Sequence, residues 1–432
     1  MKYAISPMKF IKAAFLFSLF AITIAQAQQG KKLKFEDATY EHEIRTVQLY
    51  PNDNKNWNVL ESPVARLGSM NLVLEFDDLV QEPEDYKAKI IHCNKDWTKS
   101  RLSNIDFLYD FNEFIITNDQ FSVDTKVPYI HYTFRLPQVK MPGNYLLVVY
   151  RGSDESDIIL TKRFMVYTNK VSIELTSSLN ALNSTNRFKQ QLDFKINYKN
   201  YEILNPLENV SVVLRQNERW DNAITNLKPS FIRDHITELE YRFFNFENSF
   251  EAGNEYRFFD MRSLRNPGQG VQKVDWSQYP MSVMLMPDAP RIYQAYSHLE
   301  DINGDYYIVN VDSGNGDTHS DYVYTKFFLK TNEEIDSDIY VVGKMNNWAK
   351  NANSKMKYEP KNRMYSTELL LKQGWYNYKY VIASDTTEMN YLEGNHFQTE
   401  NSYEIFVYHR PPNMRADMLI GYGFYEMNRR EN

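Results

Sequence analysis

The sequence contains a single cysteine, Cys93, among its 432 residues. One cysteine cannot form an internal disulfide, so a disulfide-stapled fold is excluded. Cys93 ends the strand-like segment 86–93. Because free cysteine is among the most buried residue types, we interpret it as a core residue rather than a reactive thiol or a metal ligand.

Catalytic motifs are also missing. The sequence has no G-x-S-x-G, no H-E-x-x-H and no phosphate-binding loop, and its eight histidines are scattered without ligand spacing. Adjacent carboxylates such as Asp77 and Asp78 occur, but nothing in the sequence places a pair across a cleft. We therefore expect no catalytic residue, no metal and no cofactor, and we predict that the protein is not an enzyme.

One acidic stretch deserves comparison with a calcium loop. Asp301 to Asp305 reads DINGD, which is similar to the opening of such a loop. The twelfth position is Asp312, however, where a calcium loop of this type requires the longer, bidentate glutamate. Asx-type turns explain these residues without a metal ion.

Long hydrophobic runs are absent after the first 27 residues. Ala13 to Ala25 is an apolar run preceded by lysines and followed by an A-x-A cleavage pattern. We expect residues 1–27 to be a signal peptide and the mature chain to begin at Gln28. The run is too short to span a bilayer comfortably, and no cysteine at the cleavage site offers a lipid anchor, so we predict no direct membrane insertion.

Excess positive charge is missing as well. The chain carries 49 basic and 56 acidic residues, and removal of residues 1–27 takes away three lysines and no acid, which leaves a formal charge of −10. Nucleic-acid binding requires a basic surface, and so does docking on anionic lipid. The composition argues against both partners.

Aromatic residues, in contrast, are abundant. The chain has 32 tyrosines and 26 phenylalanines, which favour pleated, half-buried surfaces. Short apolar or alternating segments separated by turn residues recur along the chain, among them 86–93, 210–216 and 322–330. This pattern predicts an all-β protein.

A recurring turn suggests how the strands are grouped. A glycine followed closely by an aromatic residue precedes a strand at Gly143-Asn144-Tyr145, at Gly253 to Tyr256 and at Gly374-Trp375-Tyr376. In immunoglobulin-like sandwiches a tyrosine at this place hydrogen-bonds the adjoining corner. We predict three tandem immunoglobulin-like, early-set β-sandwiches over residues 28–169, 170–317 and 318–432, with the second boundary between 288 and 320. The tail after Pro412 has no clear period.

The third of these units resembles the glycogen-binding modules of AMP-activated kinase β subunits and of branching enzymes. The matching residues include Gly343, Asn346-Asn347-Trp348 and Tyr378-Lys379-Tyr380. The resemblance implies that Trp348 stacks on glucose and that Lys379 bonds to it, and strand alternation allows Lys379 to face solvent. The family's second stacking tryptophan is absent from 383–398. We therefore interpret the unit as a reused scaffold, with Asn346-Asn347 as a hairpin turn and Trp348 packed at the rim.

A second resemblance covers the whole mature chain. The stretches IIHCNKDW (90–97) and ILTKRFMVY (159–167) are similar to the N-terminal domain of the Plug protein family of the type IX secretion system of Bacteroidota. The resemblance implies a periplasmic, non-enzymatic protein on the inner side of the outer membrane. Its partner would be the giant outer-membrane β-barrel translocon, whose periplasmic opening it would seal reversibly. The alternative is a periplasmic or surface glycan-binding protein that uses Trp348 and Lys379.

Overall fold

The computed structural model describes residues 31–53, 58–176, 188–383 and 390–429. The predicted signal peptide, 1–27, lies outside the described residues. The chain is built from strands packed as sandwiches, which confirms the all-β prediction. The helices among these residues are single turns: Asn104–Phe107, Pro206–Asn209 and Gly316–His319 are α-helical, and Asn58–Leu60, Asp234–Ile236 and Lys344–Asn346 are 3-10 turns. None of these described helices has the length and hydrophobicity of a transmembrane segment.

Ten strands form the first sandwich. They are β1 (Ala38–Thr39), β2 (Ile44–Pro51), β3 (Val64–Arg66), β4 (Leu72–Asp78), β5 (Tyr86–Cys93), β6 (Phe114–Ile116), β7 (Asn118–Phe121), β8 (Ile130–Arg135), β9 (Gly143–Arg151) and β10 (Ile158–Tyr167). One sheet has the order β1-β10-β9-β5-β6, with β3 added to β10, and the other has the order β2-β4-β8-β7. The two inner faces enclose one hydrophobic core.

The second sandwich begins directly after β10. Its strands are β11 (Ser172–Leu175), β12 (Lys189–Gln191), β13 (Phe194–Asn197), β14 (Val210–Gln216), β15 (Ile224–Leu227), β16 (Phe231–Arg233), β17 (Glu238–Tyr241) and β18 (Ser249–Glu251), completed from the end of the chain by β28 (Asn401–His409) and β29 (Met418–Met427). The sheet orders are β11-β13-β17-β16 and β15-β14-β28-β29, with β12 and β18 as a separate pair.

The third sandwich is inserted between β18 and β28. Its strands are β19 (Arg257–Asp260), β20 (Val271–Asp275), β21 (Ser282–Leu285), β22 (Tyr306–Ile308), β23 (Tyr322–Lys330), β24 (Ile339–Val342), β25 (Lys357–Glu359), β26 (Met364–Lys372) and β27 (Gly374–Ile382). The sheet orders are β20-β21-β23-β26-β25 and β19-β27-β22, with β24 also paired to β27.

Strand pairing therefore does not follow the predicted division at 317/318. Strands on both sides of that position share the sheets of the third sandwich, and the tail returns to the second as β29. The polar run 314–320 that suggested the boundary forms the helical turn Gly316–His319, which is capped by the side chain of Asn315. A polar run in the sequence indicates exposed side chains, and it does not mark the boundary between two sandwiches.

The repeated tyrosine turn forms the predicted corner at two of its three positions. The hydroxyl of Tyr145 donates to the carbonyl of Met141 at 2.6 Å, and that of Tyr376 donates to the carbonyl of Lys372 at 2.5 Å. Both are corners of the predicted kind. Tyr256 instead lies just before β19, a strand of the third sandwich, so the second occurrence does not mark a strand of the second sandwich.

Candidate functional site

The segment Gly343 to Trp348 is a 3-10 turn that leads from β24 to β25, strands of different sheets, and so is not the expected hairpin. The side chain of Asn346 closes the turn: its Oδ1 accepts from the Gly343 N–H at 3.1 Å, and its Nδ2 donates to the Val341 carbonyl at 2.9 Å. Asn347 and Trp348 follow in the left-handed region, with φ of 51° and 59°. Both asparagines thus have backbone roles.

The indole of Trp348 packs between two sandwiches. The guanidinium of Arg219, from the loop after β14, lies 4.3 Å from the indole centroid. The Tyr256 ring meets the indole edge-on at 5.7 Å. Gly304 lies so close that a Cβ at this position would come within 2.3 Å of the indole, which explains the absence of a side chain there. Arg219 therefore covers one face of the indole.

Lys379 lies on β27 beside this tryptophan. Its Nζ is 5.8 Å from the Trp348 centroid and 5.6 Å from that of Tyr256, so the structure brings the two predicted residues together. Burial, together with the charge of Arg219, lowers the pKa of Lys379 to about 7. The expectation that Lys379 faces solvent is wrong: only 9% of the residue is exposed. The position of Arg219 could not be predicted, because no sequence signal places a loop of the second sandwich beside Trp348.

A cavity of about 530 Å³ opens beside Trp348 where the three sandwiches meet. Charged side chains from all three sandwiches line it, among them Asp37, Lys162, Arg215, Glu218 and Lys344. These charges compensate one another: Lys162 bonds Asp37 at 3.0 Å, and Lys344 bonds Glu218 at 2.9 Å. Paired charges of both signs suit a junction between domains better than a site for a charged ligand.

Lys344 ties the second sandwich to the third. Its ammonium bonds Glu218 of the second sandwich and Asp305 of the third. Although burial acts in the opposite direction, the carboxylates of Asp305 and Glu218 raise the pKa of Lys344 above its ordinary value. Asp305 belongs to the stretch compared with a calcium loop. Asp301 of that stretch accepts the backbone N–H of Asn303 at 2.7 Å, as the Asx-turn interpretation requires.

A buried carboxylate joins the first sandwich to the third. Asp77, on β4, accepts from Tyr322 and Lys372 of the third sandwich, each at 2.6 Å, and from Nδ1 of His131 at 2.8 Å. Asp77 and Lys372 are both almost completely inaccessible to solvent. Burial raises the pKa of Asp77, but Lys372 and His131 outweigh it and hold the pKa below its ordinary value.

The first and second sandwiches share a hydrophobic cluster. It includes Leu146 and Val148 on the outer face of β9 and Val213 and Phe406 on the facing sheet. This contact explains why β9 is buried on both faces. Cys93 lies in the same cluster, and burial raises its thiol pKa to about 12, in keeping with a core residue. Further hydrogen bonds cross the boundary, such as that from the Tyr408 hydroxyl to Asn144 at 2.8 Å.

One stretch of the first sandwich exposes apolar side chains to solvent. Six of them fall between residues 105 and 123, with exposed fractions from 43% to 83%: Ile105, Tyr109, Phe111, Ile115, Phe121 and Val123. This stretch, called the apolar segment below, includes β6 and β7, which are edge strands of the two sheets of that sandwich. The sequence does not reveal this exposure, because a segment rich in apolar residues is equally typical of a buried segment.

Comparisons with known proteins place the first sandwich in a family. Residues 44–168 match the model described as the first domain of the type 9 secretion system plug protein. A crystal structure of a hypothetical protein from Parabacteroides merdae superposes with a TM-score of 0.85 at 31% identity, covering 91% of this chain and 100% of that one. E. coli α2-macroglobulin reaches a TM-score of only 0.17, from which nothing follows. No curated protein matches the chain.

Proposed function

Because this chain belongs to the plug protein family of the type IX secretion system, we propose that it is a non-enzymatic periplasmic plug. In this proposal it docks on the inner side of the outer membrane and seals the periplasmic opening of the giant β-barrel translocon when no substrate is passing. The mechanism is reversible steric occlusion, so the protein needs a docking surface and a body that does not deform.

The apolar segment, 105–123, is the observation that carries the proposal. It lies within the residues matched by the family model, and Phe111 exposes 83% of its surface there. Exposed aromatic side chains are favoured at protein interfaces, because each rigid ring buries a large area at low entropic cost. The segment lies at an edge of the sandwich, where β6 and β7 follow each other with one intervening residue.

The junctions between sandwiches supply the stiffness. Buried contacts at Asp77 and Lys344 connect the third sandwich to the other two, and a hydrophobic cluster fastens the first to the second. Domain interfaces within one chain normally permit relative motion unless they are extensive and apolar. Three sandwiches that are joined by buried contacts at each interface can close a pore as one rigid body.

Site-specific photo-crosslinking tests the docking surface. A photoreactive phenylalanine at Phe111 is compared with one at Phe244 of the second sandwich, which has the same exposure of 83%. Crosslinking is done in intact cells, followed by purification of the tagged protein from detergent-solubilised outer membranes. We expect Phe111, but not Phe244, to capture a giant barrel protein.

Two results would overturn this proposal. One is the recovery of no barrel protein from either position, together with an unchanged outer-membrane permeability in a deletion strain. The other is equal capture at Phe111 and Phe244, which would remove the apolar segment as the docking surface. The stronger form of this second result, capture at Phe244 alone, would assign docking to the second sandwich.

For Trp348 and Lys379 we propose a packing role rather than sugar binding. The position of Arg219 over the indole supports this assignment. Titration of maltoheptaose into the protein, followed by tryptophan fluorescence, is expected to give no saturable change. Sub-millimolar binding that is lost in Trp348→Ala would instead establish the glycan-binding alternative.

A further inference from the structure

Three potential metal ligands converge where the first sandwich meets the third. A carboxylate oxygen of Glu75, a ring nitrogen of His131 and a carboxylate oxygen of Asp317 all lie within 4.8 Å of one another. Glu75 and His131 stand on the neighbouring strands β4 and β8, and Asp317 stands on the helical turn Gly316–His319 of the third sandwich. The ligand atoms therefore come from two domains.

The imidazole is oriented by a second carboxylate. Nδ1 of His131 lies 2.8 Å from Asp77, and an ionised carboxylate can only accept, so Nδ1 carries the hydrogen. Nε2 then keeps its lone pair in the neutral ring, and it has no hydrogen-bond partner among the described residues. Only 6% of His131 is exposed. A carboxylate behind a histidine is the arrangement that fixes the tautomer of metal-binding imidazoles.

The two oxygen ligands are held in a similar way. Tyr50 donates its hydroxyl to Oε2 of Glu75 at 2.8 Å. The backbone of Asp317 is anchored on both sides: its N–H donates to Asn315 Oδ1 at 3.0 Å, and its carbonyl accepts from Lys372 at 2.6 Å and from Tyr129 at 3.0 Å. Its side chain is exposed.

The trio brings two carboxylates and one imidazole together, and a divalent ion between them would neutralise the charge of Glu75 and Asp317.

We propose that Glu75, His131 and Asp317 bind a divalent transition-metal ion of the Zn²⁺ class, which fastens the first sandwich to the third. One imidazole with two carboxylates suits such an ion better than Mg²⁺ or Ca²⁺, which take oxygen ligands alone. Metal–ligand distances of about 2.0–2.2 Å require the three side chains to close around the ion, with water as a fourth ligand.

Isothermal titration of ZnCl₂ into the tag-free mature chain, 28–432, tests the site. The variants are Glu75→Gln and Asp317→Asn, which keep the size of each side chain, and the control is Asp336→Asn, an exposed carboxylate of the same sandwich as Asp317. We expect the tightest binding event to take up one Zn²⁺ per chain. Its affinity should fall by at least about tenfold in each variant and stay unchanged in the control. MgCl₂ and CaCl₂ should bind much more weakly.

Thermal unfolding supplies a second readout. An ion that binds only the folded state raises the melting temperature in proportion to the logarithm of its concentration. ZnCl₂ should therefore stabilise the wild type and the Asp336→Asn control, but neither Glu75→Gln nor Asp317→Asn. Zn²⁺ binding only at millimolar concentration, or a tightest site that survives in both variants, would overturn the proposal.

Discussion

At the scale of single residues, Asp77 is a buried carboxylate that connects two sandwiches. It is completely buried and accepts from three side chains, two of which belong to another sandwich. Lys372→Met would leave this charge without its ammonium partner. Breaking a buried pair by removing one member typically costs about 3–5 kcal/mol, so we expect the midpoint of urea unfolding to fall sharply. The matched control is Lys355→Met, whose lysine forms an exposed pair with Asp338 and should change the midpoint little.

A double variant separates charge from packing. Asp77→Asn combined with Lys372→Met removes both charges, and it should recover part of the stability that Lys372→Met alone loses. If Lys372→Met unfolds at the same urea concentration as Lys355→Met, the pair does not stabilise the junction.

Asp301 is a single residue that makes the stability of the folded state depend on pH. Burial, with a contribution from Glu255, raises its pKa from 3.8 to about 8. Between these values the folded state holds a proton that the unfolded state has released, so stability falls as pH rises through the window, by at most about 1.4 kcal/mol per pH unit. We expect Asp301→Asn to flatten the decline of melting temperature with pH, whereas the exposed Asp336→Asn should not. Parallel curves for all three proteins would contradict the assignment.

At the scale of elements, local sequence patterns predict several strands with accurate bounds but do not predict their partners. The segments 86–93, 210–216 and 322–330 were predicted with the bounds that β5, β14 and β23 have, because alternation and flanking turn residues are local signals. The pairing of β14 with β28 joins residues nearly two hundred positions apart, and no local pattern reports it. The candidate site shows the same limit. One family resemblance pairs Trp348 with Lys379, whereas Arg219 lies in a loop of the second sandwich and contacts Trp348 only in the folded chain.

The last strand was missed for a specific reason. β29 contains Gly421 and Gly423, which interrupt the alternation expected of a strand. At Gly421 the cause is space, since a Cβ there would lie 2.5 Å from the Val171 side chain.

We predict that Gly421→Val destabilises the protein by about 1–3 kcal/mol in urea unfolding, as overpacking does. Phe424→Val, at a half-exposed position on the same strand, is the control and should cost less; the reverse order would show that β29 does not pack as described.

At the scale of the whole molecule, the insertion has a consequence for unfolding. The third sandwich interrupts the second, and buried contacts join each sandwich to the other two, so opening one exposes groups in its neighbours. We predict a single calorimetric transition whose van't Hoff enthalpy approaches the calorimetric enthalpy, although multidomain chains commonly unfold in several steps. Lys344→Met should broaden or split this transition, because it leaves Glu218 and Asp305 buried without their shared cation. Lys350→Met alters an exposed lysine of the same loop and should leave the transition intact. Separate transitions in the wild-type protein would show that the sandwiches melt independently, and a plug that acts as one block would then need its translocon to hold them together.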